Sequence, residues 1–257
     1  MKKLFWLLHL MNCACYCQTT TSGNATYECV YSTLFNYSID NGENFKKFES
    51  RLIISENRSL FFSTPLKETF TDSEGDERHV VIKKDTLFKV AKYKSVNQLL
   101  FNDDVFTRKG RIYRDTLFPM HWEFRGEKKR IDSMLCYKAI ALFKGRNYIA
   151  WYCPALLIPD GPWKLGGLPG LIVEAYDENK QLQFYLKSFR SRSPYDHLQV
   201  EPPLPDFTKI GSYPDYIQSG NNFIARFKAQ MNARVNSCLD CQSASKIEFH
   251  NLENVFR

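Results

Sequence analysis

Two short segments carry residue types that could do chemistry. His121-Trp-Glu123 places an imidazole and a carboxylate on one face of a strand, because side chains alternate there with a period of two. Such a pair could serve in general acid–base catalysis or bind a metal ion. No third titratable residue stands at a spacing that would let it join this pair. Two exposed polar residues are therefore the simpler interpretation.

The second segment is Cys238-Leu-Asp-Cys241, which has the spacing of redox and metal-binding pairs. In redox proteins the pair opens a helix, whose dipole lowers the thiol pKa, whereas here it follows the end of a predicted helix. Zinc would need two further ligands, and His250 is the one histidine nearby. We therefore predict a structural disulfide, either Cys238–Cys241 or one that joins one of them to Cys29.

Familiar catalytic motifs are missing from the sequence. It contains no Gly-x-Ser-x-Gly, no His-Glu-x-x-His and no phosphate-binding glycine-rich loop. Gly166-Gly167 is followed by Leu-Pro, and Pro169 lacks the amide that a phosphate would need. We expect no cofactor and no metal, and the sequence leans towards a non-catalytic role.

The N-terminus has the pattern of a secretion signal over residues 1–17. Lys2 and Lys3 precede an apolar stretch, and Cys15 and Cys17 stand at −3 and −1 before Gln18. Acylation of a cysteine in this segment, as in a lipoprotein, is the alternative. The stretch is too short to span a bilayer, and no later apolar run predicts a transmembrane helix. We expect an exported protein of the periplasm or outer-membrane surface, or a secreted one.

The composition is that of an ordinary globular chain. Hydrophobic residues make up 44% and charged residues 25%, and the aromatic content of 15% favours sheet. The net charge is +7, but basic residues are scattered among acidic ones, so binding of nucleic acid is not expected. We predict a single β-rich domain over residues 18–257.

The clearest predicted hairpin joins 136–143 to 146–153 through Lys144-Gly145. A two-residue turn places Ala139 opposite Ala150 and Cys136 opposite Cys153. In a non-hydrogen-bonded pair the two cysteine Cα atoms would lie about 4.5–5.5 Å apart, which a disulfide can bridge. We predict a Cys136–Cys153 disulfide. Residues 171–176 and 181–189 predict a further hairpin.

A single helix is predicted late in the chain. Asn221 can cap the helix. The apolar side of the helix consists of Phe223, Ile224, Phe227, Met231 and Val235. The preceding residues 191–214 contain five prolines and predict a loop. The fold class is therefore mainly β with a late helix, a single curved antiparallel sheet or half-barrel packed on one amphipathic helix.

The most distinctive segment lies at 160–174. Glycine and proline bend and stiffen its path, while large apolar residues stand between them. These residues could form a contact loop for a partner or a lipid, or the segment could be a tight turn that pins them into the core. Trp163 is expected to be exposed, since its indole N–H needs a polar neighbour. The candidate contact residues are Gly161, Pro162, Trp163, Leu165, Gly166, Gly167, Leu168, Pro169 and Gly170.

This segment resembles the GLPGLI family of exported proteins from Bacteroidota, whose namesake string stands here at 167–172. The resemblance covers about residues 120–177 and includes upstream residues at the family's spacing: Lys138, Ala139, Phe143, Arg146, Tyr148, Ala150 and Trp151. It implies export to the envelope and a mainly antiparallel β fold, and it carries over no catalytic residue. The half-barrel of lipoprotein carriers is a structural analogy for such a sheet.

The leading functional hypothesis is a non-catalytic envelope binding or accessory protein that holds a lipid, another apolar ligand or a protein partner. One alternative is a hydrolase with an unfamiliar site built on His121 and Glu123. A second alternative is a small outer-membrane β-barrel, which the proline-rich stretch and the lack of regular ten-residue alternation disfavour.

Overall fold

The computed structural model describes residues 27–36, 45–63, 67–71, 77–81, 88–103, 111–117, 120–192 and 210–236. The expected signal sequence, Cys238, Cys241 and His250 lie outside these residues, so the predictions about them stay predictions.

Strands make up most of the described chain. They are β1 (Tyr27–Asn36), β2 (Phe45–Ile54), β3 (Arg58–Ser63), β4 (Lys67–Thr71), β5 (Glu77–Val81), β6 (Phe88–Tyr93), β7 (Gln98–Asp103), β8 (Tyr113–Thr116), β9 (Glu123–Ile131), β10 (Met134–Phe143), β11 (Arg146–Cys153), β12 (Leu171–Asp177) and β13 (Leu182–Ser191). One α-helix, α1 (Tyr213–Asn236), follows them.

A large antiparallel sheet contains eleven of these strands, in the order β8-β7-β6-β3-β2-β1-β13-β12-β11-β10-β9. The hairpin β4–β5 forms a separate pair. Within the described chain β8 and β9 are the two edges, so the large sheet is not closed on itself. The predicted fold class, one curved antiparallel sheet with a late helix, is confirmed.

The hydrophobic core lies on one side of this sheet, here called the inner face. Alternate residues of the central strands point to it, as the period of two in a strand requires. Tyr31 of β1 and Phe61 of β3 are fully buried there, and their rings lie 6.3 Å apart. Phe61 also packs edge-on against Phe184 of β13 at 5.8 Å, so the core joins strands from both halves of the sheet.

The β10–β11 hairpin has the predicted register. Ala139 lies opposite Ala150, and Ile140 lies opposite Ile149. Lys144 and Gly145 both take positive φ, 50° and 77°, which is the conformation that two-residue hairpin turns favour. The local turn chemistry therefore set the pairing of these strands correctly.

Helix α1 begins eight residues before the predicted cap at Asn221. Ser212 is the actual cap: its Oγ accepts from Asp215 N at 3.3 Å, while Ser212 N donates to Asp215 Oδ2 at 2.7 Å. Pro214 is tolerated because first-turn amides have no intrahelical acceptor. The prediction of a loop up to residue 214 was therefore wrong at its end.

The helix docks mainly through its first half. Tyr216 and Ile224 are buried, whereas Phe223 and Phe227 are half-buried and stack on each other with ring centroids 6.4 Å apart. Among the described residues there is no helix with the length and hydrophobicity of a membrane span.

Candidate functional site

The segment between β11 and β12 contains the glycine- and proline-rich residues 160–170, here called the motif segment, and it lies across the inner face of the sheet. Trp163 is only 2% exposed, and Leu165 and Leu168 are fully buried. The Trp163 ring contacts Phe143 and Tyr148 at centroid distances of 6.0 and 6.1 Å. The expectation that Trp163 is exposed was wrong, because the curved sheet encloses the segment on its inner side.

A buried ion pair holds this segment to the opposite arm of the sheet. Lys92 Nζ of β6 donates to Asp160 Oδ1 at 2.6 Å and to the carbonyl oxygens of Gly161 and Leu165 at 2.7 and 2.9 Å. An ammonium has three protons to donate, so it can serve these three acceptors at once. Lys94 Nζ lies 3.4 Å from the other Asp160 oxygen. The lysine thus fixes the shape of the loop as well as its position.

The attraction between Lys92 and Asp160 counteracts the effect of burial on the pKa of each group. Burial by itself raises the pKa of Asp160, but the attraction of Lys92 and Lys94 outweighs it and holds the pKa below the usual value. Burial also lowers the pKa of Lys92, which the Asp160 carboxylate resists. The carboxylate therefore stays ionised at neutral pH.

Further hydrogen bonds close the two ends of the motif segment. Trp122 Nε1 donates to Gly166 O at 2.9 Å, and Tyr31 OH donates to Ile172 O at 2.7 Å. A Cβ at Gly170, whose φ is 153°, would lie 2.3 Å from Cys153 O, so only glycine fits there. Of the candidate contact residues, Gly167 and Pro169 are exposed and the others are buried.

Next to the ion pair, Lys164 is buried in a cluster of aromatic rings. Its Nζ lies 3.2 Å from the centroid of the Phe101 ring. The rings of Trp163, Tyr213 and Tyr216 stand farther away, at 5.5, 5.8 and 5.4 Å. Burial, and to a lesser extent the charge of Lys144, lowers the pKa of Lys164 well below its usual value, while Asp115 and Asp103 resist the change.

The same cluster attaches α1 to the sheet. Tyr216 OH donates to Asp103 Oδ2 at 2.9 Å, and Lys144 Nζ lies 2.8 Å from Asp115 Oδ2 and 3.3 Å from the Tyr213 ring centroid. This cluster was not predicted from the sequence, since its members are scattered along the chain and only the tertiary structure brings them together.

The predicted pair His121 and Glu123 does not form a catalytic arrangement. Both residues are exposed, and Glu123 Oε2 accepts from Arg125 at 2.7 Å. In the described ranges no hydrogen bond joins His121 to Glu123, and no group of three metal-ligating side chains is found there.

The predicted Cys136–Cys153 disulfide is absent, although the strand register is the predicted one. Both cysteines are free and buried, and Cys136 Sγ points to Met134 O at 3.6 Å. Burial, followed by the neighbouring Cys153, raises the pKa of Cys136 to about 11. The structure therefore places two protonated, reduced thiols in this buried part of the hairpin, where a disulfide was predicted.

One corner of the inner face is not covered by the motif segment. It consists of Phe124, Leu135, Tyr137, Tyr152, Pro154 and Ala155, here called the apolar corner. All but Phe124 line an open depression of about 310 Å³. Phe124 is 62% exposed and Leu135 is 42% exposed, while the Tyr152 ring contacts those of Phe124 and Tyr137 at 6.1 and 6.0 Å.

Basic side chains border the apolar corner on β9. Lys128 lies opposite Tyr137 and Arg130 lies opposite Leu135, so their side chains share the inner face. Lys128 Nζ stands 5.4 Å from the Tyr137 ring centroid, and Arg130 Nη1 donates to Ser133 O at 3.2 Å. The sequence signal for this surface was the apolar pair Leu135 and Tyr137, which alternates with Cys136 and Lys138 at the start of β10.

The chain was compared with known protein families, curated proteins and solved structures. No model of a known protein family matches the sequence, and no curated protein matches it. Crystal structures of PNGF-II in the P21 and C2 space groups match with TM-scores of 0.49 and 0.47, each at 15% identity over 77% of this chain. The chain spans about a third of those chains, 33% and 34%. Likeness at this level carries no argument about function.

Proposed function

We propose that the chain is an exported, non-catalytic envelope protein of the GLPGLI type that holds an apolar ligand or a protein partner. The observation that carries the proposal is the apolar corner, where aromatic and aliphatic side chains on the inner face stand open to solvent. Exposed apolar surface of this kind is typical of a binding site, because leaving it in water costs free energy.

The packing of the motif segment supports the proposed location of the binding surface. Most of the inner face is occupied by buried side chains of that segment, among them Trp163, Leu165 and Leu168. A ligand in the middle of the sheet would have to displace them and break the Lys92–Asp160 pair. This packing supports the apolar corner as the binding site and the motif segment as the internal support of the sheet.

The proposal is tested by isolating the natively exported protein and identifying by mass spectrometry every lipid and protein that it retains. The variant Phe124→Ser/Leu135→Ser should lose the retained molecule while remaining folded. Leu142→Ser is the matched control, because Leu142 is 69% exposed on the opposite face of β10. An exported protein that retains nothing, or one whose bound molecule is unaffected by the corner variant, would contradict the proposal. The N-terminal residue of the same sample, expected to be Gln18, tests the signal sequence.

A further inference from the structure

We infer that the ligand of the apolar corner is a single-chain amphiphile, with an acyl chain on the tyrosine and leucine side chains and an anionic head group at Lys128 and Arg130. The inference rests on the proposed function, because it names the class of ligand for that same site.

The apolar part of the site has the size of a small ligand. Its depression of about 310 Å³ lies at the lower end of the ~300–1,000 Å³ that ligand pockets occupy. Leu135, Tyr137, Tyr152, Pro154 and Ala155 line it, so its floor is mostly apolar. A depression of this size and lining suits one extended acyl chain.

The charge beside this floor is positive. Three carboxylates near β9 already have basic partners: Glu123 with Arg125, Glu127 with Lys138, and Glu174 with Lys129, all at 2.7 to 2.9 Å. These pairs leave Lys128 and Arg130, for which no ion pair is found among the described residues.

The position of these two cations suits a head group. Each lies directly across from a residue of the floor, Lys128 from Tyr137 and Arg130 from Leu135. Asp132, at the tip of the β9–β10 turn, carries one negative charge, so it can offset the charge of only one of the two cations. An anionic head group at the β9 side of the depression would therefore meet net positive charge while its chain lies on the rings.

The same charges argue against a second copy of the chain as the occupant. A second copy docked corner to corner would bring Lys128 and Arg130 of both copies close together, since these two cations border the site. Repulsion between like charges would oppose that contact. The site is accordingly assigned to a small anionic ligand.

The test compares three ten-carbon amphiphiles as monomers below their micelle concentration: decanoate, decyl maltoside and decyltrimethylammonium. Binding to the exported full chain is measured by calorimetry and by NMR shifts of the corner residues. We expect decanoate to bind about tenfold more tightly than the neutral amphiphile, and the cationic one to bind most weakly. In Lys128→Glu/Arg130→Glu this order should reverse.

The control is Lys47→Glu/Lys187→Glu, which changes the net charge equally at two exposed lysines on other strands and should keep the wild-type order. Equal binding of all three amphiphiles would overturn the inference and leave the proposed function intact. So would retention of a protein partner alone, or binding to phosphatidylglycerol vesicles without binding of monomeric decanoate. Absence of binding to every probe, with nothing retained by the exported protein, would overturn both.

Discussion

Lys92 and Asp160 form an ion pair with an Nζ to Oδ1 distance of 2.6 Å, and both side chains are fully buried. The two residues stand 68 positions apart, one on β6 and the other at the start of the motif segment. The pair therefore joins the β6 arm of the sheet to the segment that fills its inner face. A buried charge of this kind is tolerated because its counter-charge lies in direct contact with it.

Asp160→Asn should destabilise the protein by about 3–5 kcal/mol, because it leaves the Lys92 ammonium buried without its counter-charge. Chemical denaturation at pH 7 measures the change. Arg125→Ala removes an exposed ion pair with Glu123 and should cost less than about 1 kcal/mol. Equal effects of the two variants would show that the buried pair does not hold the segment in place.

Gly170→Ala should cost about 2–5 kcal/mol, since the new Cβ would lie 2.3 Å from Cys153 O and 2.6 Å from Cys153 C, at a φ of 153°. Gly126→Ala is the control, because nothing lies within 4 Å of a Cβ built there. We expect its thermal midpoint to match that of the wild type. A normal midpoint for Gly170→Ala would mean that the backbone at this position is free to move.

Trp163→Ala should lower stability by about 3–5 kcal/mol, the cost of emptying a buried aromatic site. It should leave the affinity of the apolar corner for its ligand unchanged. Leu157→Ala, at a residue that is 87% exposed in the same connection, should leave stability unchanged. The contact-loop interpretation predicts the reverse for Trp163→Ala, namely lost binding at full stability, and paired denaturation and binding measurements distinguish the two.

Lys164→Met should change how stability depends on pH. Because burial lowers the pKa of Lys164 in the native state, the unfolded chain binds the extra proton between that pKa and the ordinary value of about 10.4. The free energy of unfolding of the wild type should therefore rise with pH across this window, relative to that of the variant. Denaturation of both proteins at several pH values from 7 to 9.5 measures the difference, and parallel curves would contradict the prediction.

Cys29, Cys136 and Cys153 should resist alkylation in the native protein at pH 7.5, because all three are buried and burial raises the pKa of Cys29 and of Cys136. Peptide mass spectrometry after iodoacetamide treatment identifies the modified residues. All three should react once the protein is denatured. A linked peptide containing Cys136 and Cys153 would show that the two thiols oxidise despite their burial.

The sequence by itself determined the local features. The turn at Lys144-Gly145 and the flanking alternation specified the β10–β11 register, since positive φ at two adjacent residues closes a two-residue hairpin. The hairpin of β12 and β13 and the single late helix were likewise predicted from short-range patterns. The start of that helix was missed because its Ser212-x-x-Asp215 cap stands at the end of a proline-rich stretch.

Only the tertiary structure decided what the motif segment does and where surface is left open. Lys92 lies between Ala91 and Tyr93 and reads as a surface residue, yet it shares the inner face with Val90 and contacts Asp160 there. The packing of the motif segment on that face buries Trp163 and leaves Leu135 uncovered, although both are apolar. Turns and strand registers follow from interactions between near neighbours in sequence. Burial depends on which distant segments pack against one another on the curved sheet, and a local sequence pattern does not contain that information.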